Sequence, residues 1–119
     1  MPDRRRTALA IQAAYYVASG IWPLASRRTF ESLTGPKRDW WLVQMVALLA
    51  VTGGIAIAAG LQNRREPSRE TLVLSALTAA SFSAIDICYA LNGTISPVYL
   101  ADAVMEASIM AGVFWPTRP

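Results

Sequence analysis

The chain has no histidine among its 119 residues, a single cysteine at Cys88, and few charges for its size. Without histidine it lacks the usual proton shuttle near neutral pH and the commonest protein ligand for zinc, copper and haem iron. A lone cysteine excludes an internal disulfide and the membrane thiol oxidoreductases that work through a cysteine pair, so Cys88 reads as a small apolar filler. No metal and no organic cofactor is expected. Charged residues make up 16 % of the chain, against about a quarter in an ordinary soluble domain. Nowhere do arginine or lysine alternate with stacking aromatics over a polar surface, so nucleic acid is set aside as a partner.

Apolar side chains fill this space, at 54 % of the chain. All 11 cations lie outside the long apolar runs, and the net charge of +3 points to anionic lipid headgroups as the partner of the basic residues. Four apolar stretches stand out, at residues 8–25, 40–61, 71–91 and 98–115. As helices each would be roughly 27 to 33 Å long, close to the hydrocarbon thickness of a bilayer. The first follows Arg4, Arg5 and Arg6 and could be a cleaved secretory signal or a retained helix. Gln12, Tyr15 and Tyr16 in its centre and Trp22-Pro23 near its end favour retention.

The joints carry stop and start signals. Gly35-Pro36 breaks the first connection, and Asp39 is placed to cap the helix opening at Trp40. Residues 62–70 form a short charged turn containing Pro67, with the next helix starting near Ser68 or Arg69. Asn92-Gly93 closes the third helix and Pro97 suits the first turn of the fourth. With Thr94, Asn92-Gly93 also fits a glycosylation acceptor, although an Asn-Gly turn is the plainer meaning. Connections this short make neighbouring helices antiparallel. The expected fold is therefore all-α, an integral membrane up-down four-helix bundle forming a single domain over residues 1–119. Residues 26–34 fit either a short helix in the membrane interface, with Phe30 and Leu33 on one face, or an irregular polar loop.

Small residues recur every fourth position: Ala50, Gly54 and Ala58 in the second stretch, and Ala76, Ala80 and Ala84 beside Ser75, Ala79 and Ser83 in the third. In lipid this spacing lets backbones approach closely. It predicts close packing of the second and third helices, within a protomer or across a homodimer or larger membrane complex. Of the cations, seven fall on the side of the two termini and four, Arg27, Arg28, Lys37 and Arg38, on the other. That bias places the protein in the cytoplasmic (inner) membrane with both termini in the cytoplasm. Trp22, Trp40 and Trp41 at one end and Trp115 at the other resemble interfacial belts.

Three carboxylates interrupt the apolar stretches: Asp86 in the third, and Asp102 and Glu106 in the fourth. Each costs roughly 2.5 to 3.5 kcal/mol at the centre of a spanning helix, so such residues usually face the bundle interior. Asp102 and Glu106 share one helical face, about a turn apart. Asp86 lies roughly 7 Å from its helix end and Asp102 and Glu106 roughly 6 and 12 Å from theirs, all in the outer half of the membrane. Tyr16, Ser19 and Gln44 reach similar depths, and Arg27 or Arg28 would fold back as counter-ions. The expected site is an outer-half carboxylate pocket. In it Asp86, Asp102 and Glu106 are candidate acid/base groups, Tyr16, Ser19 and Gln44 orient a small lipophilic or cationic ligand, and Arg27 and Arg28 balance charge. An acid/base enzyme on a lipophilic substrate, a small proton-coupled transporter, and an accessory subunit whose acids only cross-link helices are the alternatives.

The order Tyr15-Tyr16, Gly20, Trp22-Pro23-Leu24, Phe30, Thr34-Gly35-Pro36-Lys37, Trp41-Leu42-Val43, Asp86, Ser96-Pro97, Tyr99, Asp102 and Glu106 resembles a group of small, functionally uncharacterised bacterial four-helix membrane proteins. The resemblance covers nearly the whole chain and implies a fold and a membrane location without an activity. Small multidrug transporters are similar in length but carry their essential acid in the first helix, where residues 8–25 have none. Sterol isomerases of the emopamil-binding type are longer and share no motif with this chain.

Overall fold

In a computed structural model, which describes residues 2–62 and 66–116, the chain folds into five helices and no strand among the described residues. These are α1 (Pro2–Ala25), α2 (Arg27–Thr34), α3 (Trp40–Leu61), α4 (Arg69–Leu91) and α5 (Tyr99–Phe114). Arg64, Arg65 and Arg118, counted above among the loop cations, lie outside the described residues.

The four-helix transmembrane bundle is corrected on two points. Residues 27–34 form a helix of their own, because Ser26 caps it by accepting from the Thr29 amide at 3.3 Å and Gly35, at φ 94°, closes it by donating to the Glu31 carbonyl at 2.8 Å. The fourth apolar stretch yields only a 16-residue helix, because Pro97 and Val98 precede its first turn and Pro116 follows its end. At about 24 Å it falls short of the roughly 30 Å hydrocarbon core. Three helices, α1, α3 and α4, are long and apolar enough to cross a membrane, which is the architecture of a multi-pass membrane protein. Leu49, Leu77 and Val104 are each more than 60 % exposed, an apolar surface suited to lipid rather than water.

Packing centres on α1. Its contact with α3 is the largest between any two helices, and α5 runs antiparallel beside its first half. The buried face of α3, at Ala47, Ala50, Gly54, Ile57 and Leu61, lies against α1. A Cβ on Gly54 would sit 2.6 Å from the Ala13 carbonyl, and one on Gly20 would meet the Ala47 carbonyl and Val51. The small-residue stripe of α3 therefore serves α1. The expected close packing of α3 on α4 is limited mainly to their joined ends, where Gly60 lies against Thr71, and Ala58, Ala80 and Ala84 are exposed.

The end caps also differ from expectation. Asp39 precedes α3 without a side-chain capping bond, whereas Ser68 caps α4 by accepting from the Thr71 amide at 3.2 Å. Asn92 Oδ1 accepts from the amide and hydroxyl of Thr94, and Gly93 takes φ 84°, so this tripeptide is a turn. Arg4 Nε donates to the Gly112 carbonyl at 3.1 Å and its guanidinium also reaches the Trp115 carbonyl. Arg5 Nε reaches the Val113 carbonyl at 2.8 Å, and Arg6 the Leu61 carbonyl at 2.8 Å. Helix C-termini leave carbonyls without intrahelical partners and carry partial negative charge, so arginine suits both needs.

At the opposite end α2 folds back over the bundle. Phe30 stands edge-on to Trp22 and Trp40, with ring centres 5.3 and 6.2 Å away. Glu31 accepts from the Lys37 amide at 2.6 Å and from Arg27 at 3.2 Å. The Lys37 amide first, and then Arg27, hold its carboxyl below the ordinary value. Because the folded value is depressed, ionised Glu31 favours the contacts of α2 with Lys37 and Arg27 above the ordinary carboxylate range. That contribution is lost as pH falls through the depressed value. The amide proton shift of Lys37 is accordingly expected to titrate in that low range, and Glu31→Gln to abolish the titration; an unchanged titration in the variant would refute the assignment.

Candidate functional site

Gln12, Tyr15 and Tyr16 occupy one face of α1 by their three- and four-residue spacing. Ser75, Ala79, Phe82 and Asp86 do the same on α4, as do Asp102 and Glu106 on α5. Where these faces meet, a polar network is built inside the apolar core of Leu9, Ile57, Ile109 and Val113. Tyr16 donates its hydroxyl to Glu106 Oε1 at 2.8 Å and accepts from Gln12 Nε2 at 3.0 Å. Gln12 Nε2 also donates to the Ser75 carbonyl at 3.2 Å, and the Ser75 hydroxyl donates to Gln12 Oε1. All four residues are buried, with at most 1 % of their surface exposed. Tyr15 donates to Asp102 Oδ1, and Phe82 packs edge-on to Tyr16 at 5.5 Å between ring centres.

Asp86 lies within electrostatic reach of Asp102 and Glu106, so the structure brings the three sequence-marked acids into one cluster. The Asp86 and Asp102 carboxyls lie within hydrogen-bonding reach of each other, while Asp86 Oδ2 and Glu106 Oε2 are buried and accept no bond from an N–H or O–H donor among the described residues. Of the ligand-orienting candidates only Tyr16 touches an acid. Ser19 is half-buried on α1 and its side chain makes no hydrogen bond to the cluster among the described residues, while Gln44 is exposed on α3. Arg27 is no counter-ion to the acids, because it pairs with Glu31 and lies over the Trp40 ring at 4.5 Å. Arg28 is exposed on α2. That helix keeps both arginines on its own surface.

Sequence reading missed Gln12, Tyr15 and Ser75 as site residues. Their signal was the shared face of Gln12, Tyr15 and Tyr16 in an otherwise apolar helix. Among the described residues no group of histidine, cysteine, aspartate or glutamate side chains converges as a metal-ligand set, the three acids included. A surface hollow of about 420 Å³ lined by Arg69, Glu70, Val73, Leu74 and Leu77 lies along the first turns of α4, distant from the acids in sequence. Comparison of the chain with protein-family models, with curated proteins and with solved structures finds no match.

Proposed function

We propose that this multi-pass membrane protein binds an organic cation at the Asp86, Asp102 and Glu106 cluster in exchange for a proton. The observation that carries this reading is the buried cluster itself, in which Asp86 has the Asp102 carboxyl beside it and neither Asp86 Oδ2 nor Glu106 Oε2 accepts a hydrogen bond from an N–H or O–H donor among the described residues. A buried carboxylate without a partner is strongly destabilising, so each charge here is neutralised by a bound proton or by an external cation. Such oxygens favour a cationic ligand over a neutral lipophilic one. The nearby rings of Tyr15, Tyr16 and Phe82 favour an organic cation, which aromatic faces attract, and no metal-ligand set converges among the described residues. In this reading the Arg4–Arg6 end faces the cytoplasm across the inner membrane, following the seven-to-four bias counted in the sequence, and the α2 end, where the acids sit, faces outward.

Right-side-out membrane vesicles, weakly buffered and given tetraphenylphosphonium chloride, are expected to release protons in a saturable way. Glu106→Gln should lose that release, and inverted vesicles should show it only after the cation has crossed. Release in inverted vesicles alone would reverse the orientation. No difference between wild type and Glu106→Gln in either preparation would overturn the site.

A further inference from the structure

At the carboxylate cluster α4 and α5 each bring an acid to the same point. Asp86 on α4 lies within hydrogen-bonding reach of Asp102 on α5. Two ionised carboxylates cannot bond to each other, because each offers only acceptors and burial leaves their repulsion poorly screened. One proton held between them removes both difficulties: its O–H bond donates across the gap, and one of the two charges is gone.

The donors around the pair decide which acid carries that proton. Tyr15 donates its hydroxyl to Asp102 Oδ1, and Tyr16 donates to Glu106 Oε1 at 2.8 Å. Asp86 is 6 % exposed, and its Oδ2 accepts from no N–H or O–H donor among the described residues. An ionised buried carboxylate depends on donors from its surroundings, whereas a neutral acid brings its own. Asp102 therefore accepts, from Tyr15 and from Asp86, and Asp86 donates. The other titratable groups facing the pair are Glu106 on α5 and, on α1, Tyr15 and Tyr16, with Tyr15 in electrostatic reach of all three acids.

Glu106 is placed differently. Its Oε1 takes the Tyr16 hydroxyl, while Oε2, on a residue 1 % exposed, has no partner. A proton on Oε2 has no acceptor, so its loss breaks no hydrogen bond and strengthens the one from Tyr16. Loss of the proton between Asp86 and Asp102 would instead break a bond and set two buried anions side by side.

We infer that Asp86 is a positioning residue, which keeps its proton and clasps Asp102 across the α4–α5 contact, and that Glu106 alone gives up a proton when the cation binds. The clasp stands on the geometry of the cluster; the exchange at Glu106 rests on the cation-binding reading. When the cation enters, the Glu106 O–H bond breaks and the proton leaves to water. The charge of the cation then takes its place beside the carboxylate.

Infrared spectra of the protein in phosphatidylcholine vesicles at neutral pH test both parts, because the carbonyl stretch of a protonated carboxyl stands clear of the amide and carboxylate bands. Wild type is expected to show two such bands. Carbon-13 in the aspartate side-chain carboxyls should shift one of them, and in the glutamate side-chain carboxyls the other. Asp86→Asn should abolish the aspartate band; its amide can still donate to Asp102, so the two helices stay joined. Tetraphenylphosphonium should abolish the glutamate band and leave the aspartate band in place. An aspartate band absent from labelled wild type, or one that survives Asp86→Asn, would overturn the clasp. So would an aspartate band that vanishes when the cation is added, although the cation reading would then stand. An aspartate band that behaves as expected beside a glutamate band indifferent to the cation would uphold the clasp and overturn the exchange at Glu106 together with the cation reading.

Discussion

Gly54→Leu is expected to cost about 3 kcal/mol or more, the upper range for forcing bulk into a packed interface. The reason lies in the α1–α3 contact. The new Cβ alone would lie 2.6 Å from the Ala13 carbonyl and 2.8 Å from a Val17 methyl, and the first of these is backbone that cannot turn aside. The helices must separate, and in lipid close approach is the chief source of their association. Gly53→Leu is the control, because a Cβ there meets nothing within 4 Å. Unfolding in mixed detergent micelles, followed by circular dichroism, should show a large loss for Gly54→Leu and little for Gly53→Leu. Because leucine is a better helix former than glycine, propensity alone would stabilise both variants; equal losses would mean that the cost is not specific to the α1–α3 contact, and the proposed interface would not hold.

Tyr16→Phe is expected to cost about 2 to 3 kcal/mol, although it keeps the ring and its edge contact with Phe82. The substitution removes one hydroxyl and strands two groups. Glu106 loses its hydrogen bond at Oε1 when Oε2 already has none, and Gln12 loses an acceptor. Removing both members of a buried polar pair is milder than removing one. Tyr16→Phe combined with Glu106→Leu should therefore be less destabilised than the sum of the single changes, by about 1 kcal/mol or more in a double-mutant cycle. Strict additivity would show that the Tyr16 to Glu106 bond does not form in the membrane.

Much of this arrangement is legible in the residues, and the parts that are not have definite causes. Periodicity tells which face of a helix is buried but not what it is buried against. The stripe through Ala50 and Gly54 was thus recognisable as a close-approach surface, while its assignment to α4 in place of α1 was a matter of partner choice. Four-residue spacing set Asp102 and Glu106 on one face, and the same rule extended along α4 from Ser75 to Asp86 points the third acid toward them. Gln12 looked like dilution of an apolar helix because its partner, Ser75, lies 63 positions away. Arg27 suggested a counter-ion by proximity in sequence to the acids' end of the membrane. Glu31, one helical turn along, offered it a nearer carboxylate. The shortness of α5 was hidden because Val98 and Trp115 are apolar enough to extend a hydropathy window although they do not extend the helix.

The arginine contacts bear on the order of assembly. Arg4 and Arg5 are held by carbonyls 108 to 111 positions further along. A chain made from its amino terminus exposes α1 to the membrane long before α5 exists. During that interval α1 can settle on α3, but Tyr15, Tyr16 and the arginines have no carboxylate or carbonyl from α5 to meet. Translation must pass residue 115 before this end of α1 is closed. A chain cut short within α5 would therefore leave an early-made helix with unmet polar groups in lipid, a recognisable mark for membrane quality control.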